Sequence, residues 1–228
     1  MAKSTFLQLC QAARRACAIS GTGPSVVTGQ TGILEKLVEW VQLSDMETQS
    51  RWLDWDFMHD SFSEPTIVGV ADVTAPADIG LWDEQSFYLD STTASYKKLE
   101  PLAYADWRER FRNGVKTNQK PSFVVITPSN DLKLEAPPDD IYTLTADYWK
   151  KPVKMVANID TSMIPEEYER IIIARAKIMY AEDQGAGEVL VSAQVEFDDL
   201  LDKLEAKYLP GRGNRRRSDG VSITVVPA

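Results

Sequence analysis

The chain has 228 residues, 43% of them apolar and 26% charged, which suffices for one large domain or two small ones with a true core. No run of about 18 apolar residues occurs, so no membrane span is expected. Arg14 and Arg15 also interrupt the first apolar stretch, so a secretory leader is not expected. The net charge is −9, but residues 210–228 hold Arg212, Arg215, Arg216 and Arg217 against Asp219, a net of +3 that leaves −12 on the rest. A body this acidic repels nucleic acid rather than gripping it.

The spacing of Phe6, Leu9, Cys10, Ala13, Ala16 and Cys17 predicts a first helix from about Thr5 to Ala18, capped by Ser4 or Thr5. Cys10 and Cys17 would lie roughly 10 Å apart on it, too far for a disulfide, and read as small core groups of a reducing cytosol. The loop GTGPSVVTGQTG (21–32) follows, with four glycines and several hydroxyls, in the manner of a phosphate cradle. It has no lysine and no glycine pair at the P-loop spacing. Val26 stands where a dinucleotide fingerprint needs its third glycine, and a helix rather than a strand precedes it. It is read as a helix–helix joint, with Gly21 closing the first helix and Thr31 capping the second. That helix is predicted from about Gly32 to Asp56, with Ile33, Leu34, Leu37, Val38, Val41 and Met46 inward and an aromatic end at Trp52, Trp55 and Phe57.

From about Ser61 to Met155 the pattern turns to short β-branched and aromatic runs. Strands are predicted at 66–71, 85–90, 96–100, 121–127, 131–136 and 142–149, with a turn at Pro128-Ser129-Asn130-Asp131. In the last strand Tyr142, Leu144 and Ala146 should face one way and Thr143, Thr145 and Asp147 the other, as in a half-exposed antiparallel strand. A short helix is expected over 104–112. A third long helix begins near Pro165 and runs through IIIARAKIMYA (171–181), apolar on more than one side, so either central in a bundle or shared with a neighbouring subunit. The break at 183–187 separates it from a fourth, about Glu188 to Tyr208, striped by Leu190, Ala193, Phe197, Leu200, Leu201, Leu204 and Tyr208. Residues 210–220 read as a basic linker, and 221–226 have strand composition.

The fold class expected is therefore α+β: a four-helix bundle made by the N- and C-terminal helix pairs (1–60 with 156–209), an inserted antiparallel β domain (61–155) and an extended basic tail (210–228). The sequence offers no nucleophile elbow and no positioned acid–base pair, and no cofactor is expected. Its best metal candidate is Asp56, His59 and Asp60, which on one helical face would present an imidazole and two carboxylates, as a metal-dependent hydrolase needs. A further reading is a monomeric cytoplasmic module binding through a sheet edge. In the tail, Arg212, Arg215, Arg216 and Arg217 can pair with carboxylates while Val221, Ile223 and Val225 alternate as a strand added to a partner.

In order, the stretches TFLQLCQAARRACAISGTGPSVVTGQTGILEKLVEWV, RWLDWDFM, KPSFVVITPSNDLKLEAPPDDIYTLTADYWKKP and IPEEYERIIIARAKIMYAEDQGA resemble head-to-tail adaptor (connector, neck) proteins of tailed bacteriophages over roughly residues 5–209. The resemblance implies a non-enzymatic structural virion protein, made in the bacterial host cytoplasm. It implies a ring of twelve copies beneath the portal at the head–tail junction, continuing the DNA channel and receiving tail or nozzle proteins. DNA would pass without sequence-specific binding, and no membrane is involved. On this reading the basic tail docks on the portal, and Ile171, Ile172, Ile173 and Ile178 form the subunit interface.

Overall fold

A computed structural model describes residues 3–90, 97–113 and 117–209. The chain divides into a helical unit, Met1–Phe57 with Pro152–Ala228, and a sheet unit, Met58–Lys151.

In the helical unit, α1 (Phe6–Ala16) opens on a capping box. The Thr5 hydroxyl accepts from the Gln8 N–H, and the Gln8 side chain accepts from the Thr5 N–H. The joint then leads to α2 (Ile33–Ser50), which ends six residues before the expected Asp56. After the sheet unit the chain returns through an irregular segment, 152–164. A 3-10 turn (Glu166–Tyr168) follows, then two helices joined at Gly185; the label α3 belongs to a short helix of the sheet unit, Tyr104–Arg110. The two are α4 (Arg170–Gln184) and α5 (Gly187–Tyr208). Gly185 closes α4 in the left-handed region, φ 63°, where a Cβ is unfavourable.

The helices are not four equals around one axis, as the simple bundle expected. α4 is the hub, packed against α1, α2 and α5, while α1 and α2 also touch. That position explains its sequence: Ile171, Ile172, Ala174, Ala176, Ile178 and Ala181 are all buried because neighbours cover more than one side.

The return segment is stitched to the helices by polar groups. The Phe6 N–H, otherwise unsatisfied in a first helical turn, donates to the Asp160 carbonyl at 2.7 Å, and the Leu7 N–H donates to that of Asn158. On α2, fully buried Asp45 and Gln49 face the same segment. Asp45 accepts from the Ser162 hydroxyl and the Gln49 amide, and Gln49 accepts from the Val153 N–H at 3.0 Å. Sequence periodicity placed Met46 inward at this point; Met46 is only half-buried, and the polar neighbours take the covered face.

Among the described residues the sheet unit has nine short strands in two sheets. The first joins β1 (His59–Pro65), β3 (Ile79–Trp82), β4 (Tyr88–Asp90), β5 (Lys97–Lys98) and β9 (Thr143–Lys150); β9 is central and pairs antiparallel with β1, β3 and β4. The second has the order β2 (Asp72–Val73), β8 (Leu132–Leu134), β7 (Phe123–Ile126), β6 (Glu100–Pro101). Its β6–β7 pair is parallel, so the domain is not wholly antiparallel. Leu144, Ala146 and Tyr148 are buried on one face of β9, as their alternation requires, and Tyr142 just before it is buried too. They join Phe62, Trp82, Phe87, Leu89 and Leu99 with Val124, Leu132 and Leu134 of the second sheet in one core. The Trp82 indole donates to the Asn130 carbonyl at 2.8 Å, fixing the expected β7–β8 turn, where Asn130 has φ 67°.

Two expectations fail here. Residues 66–71 form a turn, not a strand, despite their β-branched composition; Ile67, Val68 and Val70 are exposed. Residues 59–65, where no strand is expected from the sequence and His59 and Asp60 are expected on a helical face with Asp56, form strand β1, registered His59 opposite Trp149 through Pro65 opposite Thr143.

Candidate functional site

The metal cluster expected from the sequence is not assembled, and the cause is local. Asp56 lies in a 3-10 turn (Asp56–Met58), while His59 and Asp60 open β1. Successive strand residues point to opposite faces, so no shared helical face presents the three groups. Asp60 binds Lys150 of β9 at 2.6 Å, and that ammonium, helped by the Ser61 N–H, holds its carboxyl below the usual range. His59 stacks edge-on to Trp149 at 5.8 Å. Among the described residues no three His, Cys, Asp or Glu side chains gather as a metal would require.

The glycine loop is a joint, as read, but its details differ. α1 ends at Ala16 with Cys17 as its cap, not Gly21, and the cap of α2 is Gly32, not Thr31, without a side-chain hydrogen bond. The loop carbonyls turn toward Arg14, whose guanidinium donates to Ile19 at 2.8 Å and to Gly21. The Val27 N–H donates to the Asn158 side chain at 2.7 Å, and Val27 is buried. These are the bonds of a loop folded onto its own unit.

Of the four isoleucines assigned to a subunit interface, Ile171, Ile172 and Ile178 are at most 2% exposed in a single copy. Their apolar character is already used inside the helical unit. Ile173 alone keeps accessible area, at the floor of a surface groove with Ala12, Ala16 and Ala174. The docking residues Arg212, Arg215, Arg216, Arg217, Val221, Ile223 and Val225 lie outside the described residues.

The apolar surface that remains uncovered was not singled out by periodicity. On α5, Val191 and Val195 are 62% and 67% exposed. In the return segment Val153, Val156 and Ile159 are exposed, and in the sheet unit Ile67, Val68, Val70 and Ile141 are. The signal available in sequence was the valines themselves, standing outside the stripe of the fourth helix. Burial of Cys10 and Cys17 pushes their thiols up to about 12 and about 11, so neither is a nucleophile at neutral pH.

No match is found among curated proteins. The family described as SU10 adaptor protein matches residues 4–223, all but the first three and last five positions. That span takes in Arg212 to Arg217 and Val221 to Ile223, beyond the Leu209 limit of the sequence resemblance. A contact-bearing helical unit, an inserted sheet unit and a family match of this length lead to one identity: the chain belongs to the SU10 adaptor family and is a non-enzymatic structural protein of the bacteriophage virion, an adaptor at the head–tail junction.

Proposed function

We propose that the protein works as one copy of a closed ring, twelve in number, seated on the portal and continuing the DNA channel toward the tail or nozzle proteins. The observation that carries this reading is the adaptor family match over nearly the whole chain. Charge supports it. Outside residues 210–228 the chain is net −12, and a channel wall of that sign lets DNA slide without holding its phosphates.

The tail is the arm that docks on the portal. Its four arginines pair with carboxylates on the portal surface, and Val221, Ile223 and Val225 add a strand to a portal sheet. Truncation after Leu209 tests this. Co-sedimentation with purified portal should be lost while the helical signal in circular dichroism and its melting temperature stay near wild type. Portal binding that is unchanged in the truncated protein would refute the docking arm.

A further inference from the structure

The helical unit carries an apolar ridge and, on a different face, a groove whose small apolar residues are flanked by Arg170, Lys177 and Glu196. The ridge is the outward side of α5. Val191 and Val195, one helical turn apart, are exposed among Glu188, Asp198, Asp199 and Asp202, which are exposed as well. Positions 188, 191, 195, 198 and 202 are spaced by three and four, so they share one side, opposite the buried Ala193, Leu201 and Leu204. An isolated monomer gains nothing from two valines on such an acidic face.

The groove, of about 360 Å³, lies between α1 and α4 and reaches the flank of α5. Ala12 and Ala16 of α1 and Ile173 and Ala174 of α4 line it, with Arg170 and Lys177 as the cations. Arg170 is bound to Glu196 at 2.6 Å, whereas Lys177 makes no ion pair among the described residues. α1 contributes Arg14 and Arg15 and has no carboxylate; α5 has six carboxylates against Lys203 and Lys207. The groove side is thus basic and the ridge side acidic.

The spacings also match. Val191 and Val195 are separated by four residues, as are Ala12 and Ala16, so both patterns repeat at about 6 Å along their helices. Ridges of this spacing seat into grooves of the same spacing, and alanine leaves the depth that a valine fills.

We infer that the α5 ridge of one copy seats in the α1–α4 groove of the next, with Glu188, Asp198 and Asp202 set toward Lys177 and Arg15. Glu196 of the groove follows Val195 by one residue, about 100° around α5, so a subunit whose ridge is engaged still presents its groove. The contact is head-to-tail, and such contacts close into rings when the rotation per subunit permits. This inference rests on the ring reading and supplies its subunit interface, in which Ile173 takes part and the three buried isoleucines do not.

The test is a cysteine pair, Ala12→Cys with Val195→Cys, in the full-length chain assembled on portal and mildly oxidised. Native Cys10 and Cys17 are buried and give little background. The expected result is a ladder of reducible inter-subunit crosslinks extending to the closed ring, with monomer only when portal is omitted. Rings visible by electron microscopy without the ladder would overturn this interface and leave the ring reading standing. Absence of any ring from unmodified protein and portal would overturn both. Independently, Val191→Glu with Val195→Glu, both on exposed positions, should leave the melting temperature unchanged and weaken assembly at least about tenfold, as should Lys177→Glu, with recovery in Lys177→Glu/Asp198→Lys. Assembly at wild-type level in the double-glutamate variant would also refute the contact.

Discussion

Asp45→Asn should make this protein more stable at neutral pH and less so in acid. The Asp45 carboxyl is fully buried on α2, and burial pushes it up to about 6 from its ordinary 3.8. Hydrogen bonds from Ser162 and Gln49 and the charge of Lys3 oppose the rise, while Glu169 adds to it. About two decades of acidity correspond to roughly 3 kcal/mol, at 1.36 kcal/mol for each. Below pH 3.8 both folded and unfolded chains hold the proton, and no penalty exists. Between 3.8 and about 6 the unfolded chain releases it while the folded chain keeps it, so stability falls as pH rises. Above 6 the full penalty is present. Asparagine cannot ionise and escapes the penalty, but its amide nitrogen cannot accept from Gln49, a loss of about 1 kcal/mol. The net expectation is a gain of about 2 kcal/mol at pH 8 and a loss of about 1 kcal/mol at pH 4. Urea unfolding of both proteins at pH 4, 5, 6 and 8 measures the difference, in which other titrating groups cancel. A difference that stays constant over this range would refute a protonation-linked cost at Asp45.

Other outcomes follow from particular contacts. Gly80→Ala should destabilise the sheet unit by about 1–3 kcal/mol in thermal melts, because a Cβ there would stand 2.9 Å from the Lys151 nitrogen and 3.0 Å from the Lys150 carbonyl at the β3 bulge; an unchanged melt would mean the strands separate at no cost. Ile172→Ala should cost about 2–5 kcal/mol in a monomer that has never met a portal, since the side chain is wholly buried within one copy. Stability equal to wild type would return that residue to the interface assigned from sequence. The thiols of Cys10 and Cys17 should resist a water-soluble disulfide reagent at pH 8 until denaturant is added; prompt labelling of the native protein would contradict their burial. Titration calorimetry with zinc or magnesium should give the same absence of saturable heat for wild type and Asp56→Asn, and a saturable site lost in the variant would revive the hydrolase reading.

Sequence periodicity served best where one element decides its own burial. The alternation of β9 needed no knowledge of a partner segment and matches the burial found; of the α5 stripe Ala193, Leu201 and Leu204 are buried, while Leu190, Phe197, Leu200 and Tyr208 are half-buried. It failed where a distant segment decides. Asp45 and Gln49 look like surface residues until the return segment, more than a hundred positions later, supplies Ser162 and Val153 to satisfy them. The aromatic run after α2 has helical spacing through Asp60, yet α2 stops at Ser50 and pairing with β9 draws His59–Pro65 into a strand. The turn at 66–71 has strand composition, but Pro65 and Gly69, the latter at φ 78°, suit a bend, and its exposed Ile67 meets no core. The over-apolar α4 left two alternatives, hub or interface, that composition cannot distinguish; within one copy α1, α2 and α5 pack against it and bury Ile171, Ile172 and Ile178.

The account is tested most directly by mixing the full-length protein with purified portal and measuring the complex by native mass spectrometry. It predicts a single species holding twelve copies of this chain per portal ring, absent when either component is omitted. A chain that remains unbound, or binds in scattered copy numbers without closing, would contradict it.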